Sequence, residues 1–227
     1  MRFVTLLLAL AGSLFAMPAS AQIVPPPAGR ATPPATTDKE NLWLLDLSTG
    51  GRVTIWLRPD VAPKMVERIK TLTRQKFYDG LIFHRVIEGF MAQGGDPKGD
   101  GTGGSELGNV EQEFNYLPHV RGAVSAAREG APPNAPKEEK TRAENSANSQ
   151  FFIMFVPRLQ LDKDYTVFGR VIDGMQYVDA IPRGEPPRAP ARVLRAWIAS
   201  DNPPPYTPAP AAAPLDAPAA LPPGPGK

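Results

Sequence analysis

From residue 41 the chain falls into short runs of alternating apolar and polar positions. In Arg52–Leu57, Val53, Ile55 and Leu57 alternate with Thr54 and Trp56, the period of a half-buried strand. Asn41–Leu47 is a similar run, and Ser48-Thr49-Gly50-Gly51 between them reads as a hairpin turn. The period then changes. Met65, Val66, Ile69 and Leu72 recur at three and four residues and predict a helix from Ala62 to about Gln75. Pro63 suits its first turn, where a missing N–H breaks no bond. Strands are predicted again at Leu81–Val86, Phe90–Gln93, Gly122–Ala127, Phe151–Val156, Tyr165–Val171 and Arg192–Ala199. A short second helix fits Met175–Ile181. Many short strands with two helices imply a mainly β fold, a closed or nearly closed antiparallel barrel. One segment, AREGAPPNAPKEEKTRAENSANS at 127–149, breaks the rhythm. It is long, polar and Pro-containing, and reads as a loop with a functional role or none of its own structure.

The ends differ from this middle. Residues 1–21 combine Arg2, an apolar run from Phe3 to Phe15 and Ala19-Ser20-Ala21, the pattern of a cleaved export signal. The run is short for a membrane span, so the expectation is cleavage after Ala21, no stable membrane insertion afterwards, and a periplasmic location if the source is Gram-negative. Residues 22–39 are rich in Pro, Ala and Thr and read as a linker. Residues 201–227 hold ten of the 28 prolines and too few large apolar groups to offset ordering, so a disordered tail is expected there. The folded domain is therefore placed at 40–200.

Composition narrows the chemistry. Lys and Arg number 25 against 23 Asp and Glu, a net charge of +2 without the basic clustering of a nucleic-acid binder. No cysteine is present, which removes thiolate metal sites, disulfides and cysteine nucleophiles. The two histidines, His84 and His119, have no metal-binding spacing; His84 reads as a structural histidine with one ring hydrogen bond. GDGTGG at 99–104 satisfies G-x-G-x-x-G but neither follows a strand nor opens a helical stripe, so it reads as a loop that lets a backbone approach. No serine lies in a nucleophile elbow. Glu111 and Glu113 read as a solvated pair. No cofactor is expected.

The segment LIFHRVIEGFMAQGG at 81–95 poses the functional question. Arg85 stands in what otherwise reads as a core strand, and a buried guanidinium is costly unless paired. Either it snorkels to solvent or it faces a groove whose ligand needs a cation. Phe90, Met91 and Phe152 are large apolar groups nearby in the chain or on a matching strand, and Gln93 and Gln150 are neutral hydrogen-bonding groups. The set has no nucleophile and no general base. It suits holding a neutral, partly apolar chain in a twisted form.

FHRVIEGFMAQGGDP, GDGTGG, GAVSAAR, SQFFI and YTVFGRVIDGM, in this order across 40–200, resemble the cyclophilins, a family of peptidyl-prolyl cis/trans isomerases. The resemblance implies an eight-stranded antiparallel barrel capped by two helices, no cofactor, and X-Pro-containing unfolded or flexible polypeptides as substrates. It implies Arg85 as the catalytic arginine, steadied by Gln93. Phe90, Met91, Phe152, Leu161 and Tyr165 would form the proline pocket. Gly101 would line the groove, Ala127 and Arg128 the edge that pairs with substrate backbone, with Gln150 beside them. Gln160 stands where many members carry the Trp linked to cyclosporin binding. The 127–149 loop is longer than the usual connection. A monomer is expected, since nothing suggests a dimer seam. A second reading of the same residues is a non-catalytic binder of proline peptides; the joint presence of Arg85, Gln93 and Phe152 favours the enzyme.

Overall fold

The computed structural model describes residues 32–207; the expected export signal, most of the linker and the tail from 208 lie outside the described residues. Eight strands follow one another as β1 (Leu42–Leu47), β2 (Gly51–Leu57), β3 (Phe83–Ile87), β4 (Met91–Gly94), β5 (Ala123–Ala126), β6 (Phe151–Met154), β7 (Val167–Asp173) and β8 (Val193–Ile198). They form one antiparallel sheet in the order β3-β4-β6-β5-β7-β2-β1-β8. Its two end strands meet: Val193 N–H donates to Leu81 O at 2.9 Å and Phe83 N–H to Ala191 O at 3.0 Å, around an Ile82–Arg192 bridge. The expected barrel is therefore closed, which removes exposed strand edges.

Three helices accompany it. α1 (Pro63–Arg74) packs against β8, and α3 (Met175–Asp179) against β2. The stripe Met65, Val66, Ile69 and Leu72 is buried, as its spacing predicts. The α1 N-terminus has no side-chain cap of its own. Glu113 supplies one from elsewhere in the chain, its carboxylate accepting from Lys64 N and Met65 N at 2.9 Å each. The dipole of the helix favours an anion there. Glu113 is thus a cap rather than one of a solvated pair.

α2 (Lys137–Glu144) corrects the expectation of two helices. Only Ala143 in it is buried, so no apolar stripe announced it. Its signals are electrostatic: Glu138 and Glu139 in the first turn and Arg142 in the last complement the helix dipole. The long loop that carries it is not free. Val110 bridges Ala147, and Asn145 Oδ1 accepts from Gln112 N at 2.9 Å. Asn148 Oδ1 accepts from Ser105 N, also at 2.9 Å. The boundary after residue 200 also falls early. Tyr206 Oη donates to Leu47 O at 3.1 Å, and Pro204 O accepts from Arg52 Nη2 at 2.8 Å.

The interior is aromatic. Trp43 lies edge-on to Phe151, with ring centroids 4.9 Å apart, and to Tyr78 at 5.2 Å. Phe83, Val86, Ala92, Ile153 and Phe168 share this cluster. A second, smaller apolar cluster gathers Met91, Ala123, Phe152, Met154 and Val167. On β4, β5, β6 and β7 its members alternate with core residues, so it lies on the barrel's outer face.

Candidate active site

Regular alternation along β3 would aim Phe83 and Arg85 the same way, into the core. The pairing shows why this does not happen. Phe83 faces Gly94 and Arg85 faces Gln93, so two β3 residues span one step of β4 and His84 is extra. This bulge inverts the phase of the strand. Phe83 and Val86 both reach the core, whereas Arg85 emerges on the outer face with its side chain 42% exposed. The arginine is displayed on the outer face of the barrel and is not buried.

Strand register then assembles the site. Arg85 lies opposite Gln93, Gln93 opposite Phe152, Phe152 opposite Ser125 and Ser125 opposite Val167. One row over, Ile87 lies opposite Met91 and Met91 opposite Met154. Arg85 Nη1 donates to Gln93 Oε1 at 3.4 Å, and Gln93 Nε2 to Gln150 Oε1 at 2.9 Å. Gln150 Nε2 in turn donates to Gly101 O at 3.0 Å and Gly103 O at 2.7 Å. The chain of bonds ties the guanidinium to the glycine-rich loop.

Asp96 shapes that loop. Buried to 1% exposure, its carboxylate accepts from Lys98 N, Asp100 N and Gly101 N at 2.8, 3.0 and 2.6 Å. Burial pushes the carboxyl up, but these N–H donors outweigh it and hold Asp96 below the usual carboxylate range. Gly103 is required for this arrangement, since a Cβ there would lie 2.0 Å from Asp96 Oδ1. The G-x-G-x-x-G match is an Asp-centred turn, as its poor context for a dinucleotide predicts.

The pocket residues named from sequence come together. Phe90, Ala127, Leu161 and Tyr165 are half-buried against the outer cluster that holds Met91 and Phe152. Phe152 is 5% exposed and forms a floor beneath Tyr165, whose ring centroid is 5.5 Å away. Arg128 lies over the Tyr165 ring, its guanidinium carbon 4.6 Å from the ring centroid. Beside this apolar patch runs a polar groove of about 570 Å³, lined by Gln93, Gln150, the glycine loop, Ala127, Arg128 and residues of the α2 loop. Gln160 is exposed. Ala127 N–H donates to Gln150 O at 2.9 Å. Among the described residues the N–H of Arg128 has no partner, and it is the free donor on that edge.

Sequence reasoning missed three groups. Leu117 joins the apolar cluster from an irregular segment with no period. His119 is fully buried, lies parallel to Phe152 at 6.1 Å, and its Nδ1 is 2.8 Å from Asp162 Oδ1. Glu185 meets Arg85 directly, Nε to Oε2 at 2.7 Å. A lone acid in a Pro-rich turn gives no sequence signal of such a contact.

The two histidines set a pH dependence. His84 is 5% exposed, and neither ring nitrogen has a partner among the described residues, against the single bond expected for it. Burial holds both His84 and His119 below the ordinary histidine value; the nearby carboxylates Asp96 and Asp162 offset only part of this. Folded, both rings stay neutral at pH values where the unfolded chain takes up protons. Stability is therefore present above about pH 6.5 and is lost as pH falls below it, by at most about 1.4 kcal/mol per pH unit per histidine. Urea midpoints at pH 7.5, 6.5 and 5.5 should be level over the first step and fall over the second. A flat profile would show that neither ring resists protonation.

The family model described as "Cyclophilin type peptidyl-prolyl cis-trans isomerase/CLD" matches residues 44–197. A probable peptidyl-prolyl cis-trans isomerase of Brucella suis is 42% identical over 184 residues, covering 74% of this chain and 87% of the relative. Peptidyl-prolyl cis-trans isomerase B of Bacillus subtilis is 37% identical over 140 residues, covering 61% and 89%. Among solved structures, cyclophilin AquaCyp293 of Hirschia baltica superposes with a TM-score of 0.63 at 28% identity, over 74% of this chain and 77% of its own. A Cryptosporidium parvum cyclophilin type peptidyl-prolyl cis-trans isomerase, solved in the presence of the dipeptide Ala-Pro, gives 0.59 at 26% identity, over 69% and 98%.

Proposed function

This chain belongs to the cyclophilin-type peptidyl-prolyl cis-trans isomerases, and from that premise we propose that it is exported and speeds X-Pro rotation in exported proteins as they fold, with Arg85 as its catalytic residue. X-Pro isomerisation takes tens to hundreds of seconds unaided, slow enough to limit folding. The barrier, roughly 20 kcal/mol, is the loss of amide resonance.

Losing that resonance localises a lone pair on the prolyl nitrogen. A fixed donor aimed at it binds the twisted amide better than either planar isomer, which is the requirement for catalysis. The observation that carries this reading is the placement of Arg85. Its guanidinium stands at the edge of the outer apolar cluster, with Nε and Nη1 held by Glu185 and Gln93 and Nη2 without a partner among the described residues. Phe90, Met91, Phe152 and Leu161 would enclose the pyrrolidine ring. Gln93 and the Arg128 N–H would hold backbone groups on one side of the bond while the other side turns. The Ala-Pro dipeptide present with the Cryptosporidium relative supports X-Pro segments as ligands of this pocket.

Two measurements test the exported folding role. The full chain, expressed in a Gram-negative host, should appear in the periplasmic fraction with Gln22 as its first residue. Added to a refolding protein limited by proline isomerisation, it should shorten the slow phase without changing the yield of fast-folding molecules. Retention in the cytoplasm, or an unaltered slow phase beside fast turnover of an Ala-Pro peptide, would refute export or the folding role respectively.

A further inference from the structure

Glu185 belongs to a segment, Arg183–Pro187, that lies along the edge of β3 turned away from β4. Val86 N donates to Gly184 O and Gly184 N to Val86 O, both at 2.8 Å. Arg183 anchors the same segment, with Nε on Glu88 Oε2 at 2.6 Å and its guanidinium carbon 4.2 Å from the Phe155 ring centroid. Gly184 has φ +148°, and a Cβ there would lie 2.6 Å from Pro187 Cα. The backbone that carries Glu185 is thus fixed without help from its side chain. The carboxylate nonetheless reaches Arg85 Nε at 2.7 Å, whereas the bond from Arg85 to Gln93 is 3.4 Å long. Of the two side chains that hold the guanidinium, the carboxylate makes the shorter contact and the charge-assisted one.

We propose that Glu185 is a positioning residue for isomerisation: it fixes the plane of the Arg85 guanidinium, from the side opposite Gln93, so that Nη2 is presented to the substrate amide. This rests on the reading of Arg85 as the donor to the twisted bond. An arginine gives up much of its rotamer freedom when it is ordered. With Glu185 in place that ordering precedes substrate binding. The pair is half-exposed, with side chains 42% and 53% accessible, so it adds little to the stability of the fold. That separates a positioning role from a structural one.

The test uses the full chain and an Ala-Pro peptide, with kcat and KM resolved by exchange NMR. Glu185→Ala should lose roughly five- to tenfold in kcat, the equivalent of about 1–1.4 kcal/mol, with KM and thermal midpoint unchanged. Glu185→Gln, which keeps an acceptor oxygen, should recover most of the loss. The Arg85 Nε–H resonance should be sharp in the wild type and exchange-broadened in Glu185→Ala. In an Arg85→Ala background, Glu185→Ala should cost nothing further. Unchanged or raised kcat in Glu185→Ala, or an equal loss in the Arg85→Ala background, would overturn the assignment. If Arg85→Ala alone turns over like the wild type, the reading of Arg85 itself has failed. A full Arg85→Ala loss beside an unaffected Glu185→Ala removes only the role of Glu185.

Discussion

Arg85→Ala is expected to fold normally and to isomerise an Ala-Pro peptide at least about a hundredfold more slowly, a loss of about 3 kcal/mol in transition-state stabilisation. Normal folding follows from its location. The side chain is outside the core, its ion pair with Glu185 is half-exposed, and its bond to Gln93 is long. Truncation leaves Glu185 and the Gln93 oxygen open to water, so no unpaired charge is buried. The kinetic loss follows from what the guanidinium would bind. Both planar isomers keep the nitrogen lone pair in resonance, so the donor gains its partner only at the twist, and the loss should appear in kcat with little change in KM. Arg85→Lys should recover little. It restores the charge but not the planar fork that is held at two nitrogens while a third is presented. Wild-type turnover from Arg85→Ala would remove the residue from the mechanism.

Phe152→Ala is expected to damage both the pocket and the protein. Phe152 is 5% exposed between His119 and Tyr165, and it pairs in register with Gln93 and Ser125. Truncating a buried phenylalanine typically costs about 3–5 kcal/mol, partly lost transfer energy and partly the cavity left behind. The same ring is the floor on which the pyrrolidine would rest, so dipeptide affinity should fall with it. Phe152→Leu separates the effects. It keeps most of the buried volume, should cost under about 2 kcal/mol, and still lacks the flat ring surface. Turnover in both variants is compared at a temperature where each is folded, alongside Ala-Pro titration by NMR. Weakened binding in Phe152→Leu at near-native stability is the expected result. Full binding in a folded Phe152→Ala would show that the floor lies elsewhere.

The sequence reading succeeded where a period repeats. The alternation of Val53, Ile55 and Leu57 and the stripe from Met65 to Leu72 name β2 and α1 with their buried faces. The candidate site was noticed for another reason: Arg85 and Gln93 are chemically out of place in runs that otherwise read as core, whereas Phe152 is an apolar group whose part in the pocket came only through the resemblance. α2 escaped because its eight residues bury a single alanine, leaving nothing periodic to find. Glu113, Asp162 and Glu185 escaped because their partners are 43 to 100 residues away. Long-range polar pairs leave no local trace; only register and closure bring them together. The bulge at His84 escaped as well, since a strand with one extra residue has the same composition as one without.

That extra residue makes the outward display of Arg85 a matter of parity. Substitutions at His84 leave the residue count of β3 intact, so each has a graded cost. Deleting the position is a different kind of change, yet it does not turn the arginine. Phe83 and Arg85 become neighbours opposite Gly94 and Gln93, so a plain strand still sends Phe83 inward and Arg85 outward, and what is lost is the local bend and twist of the bulge. The arginine is turned inward only if His84 is kept and drawn into the ladder, since that one-residue slip exchanges the two faces of the strand beyond it.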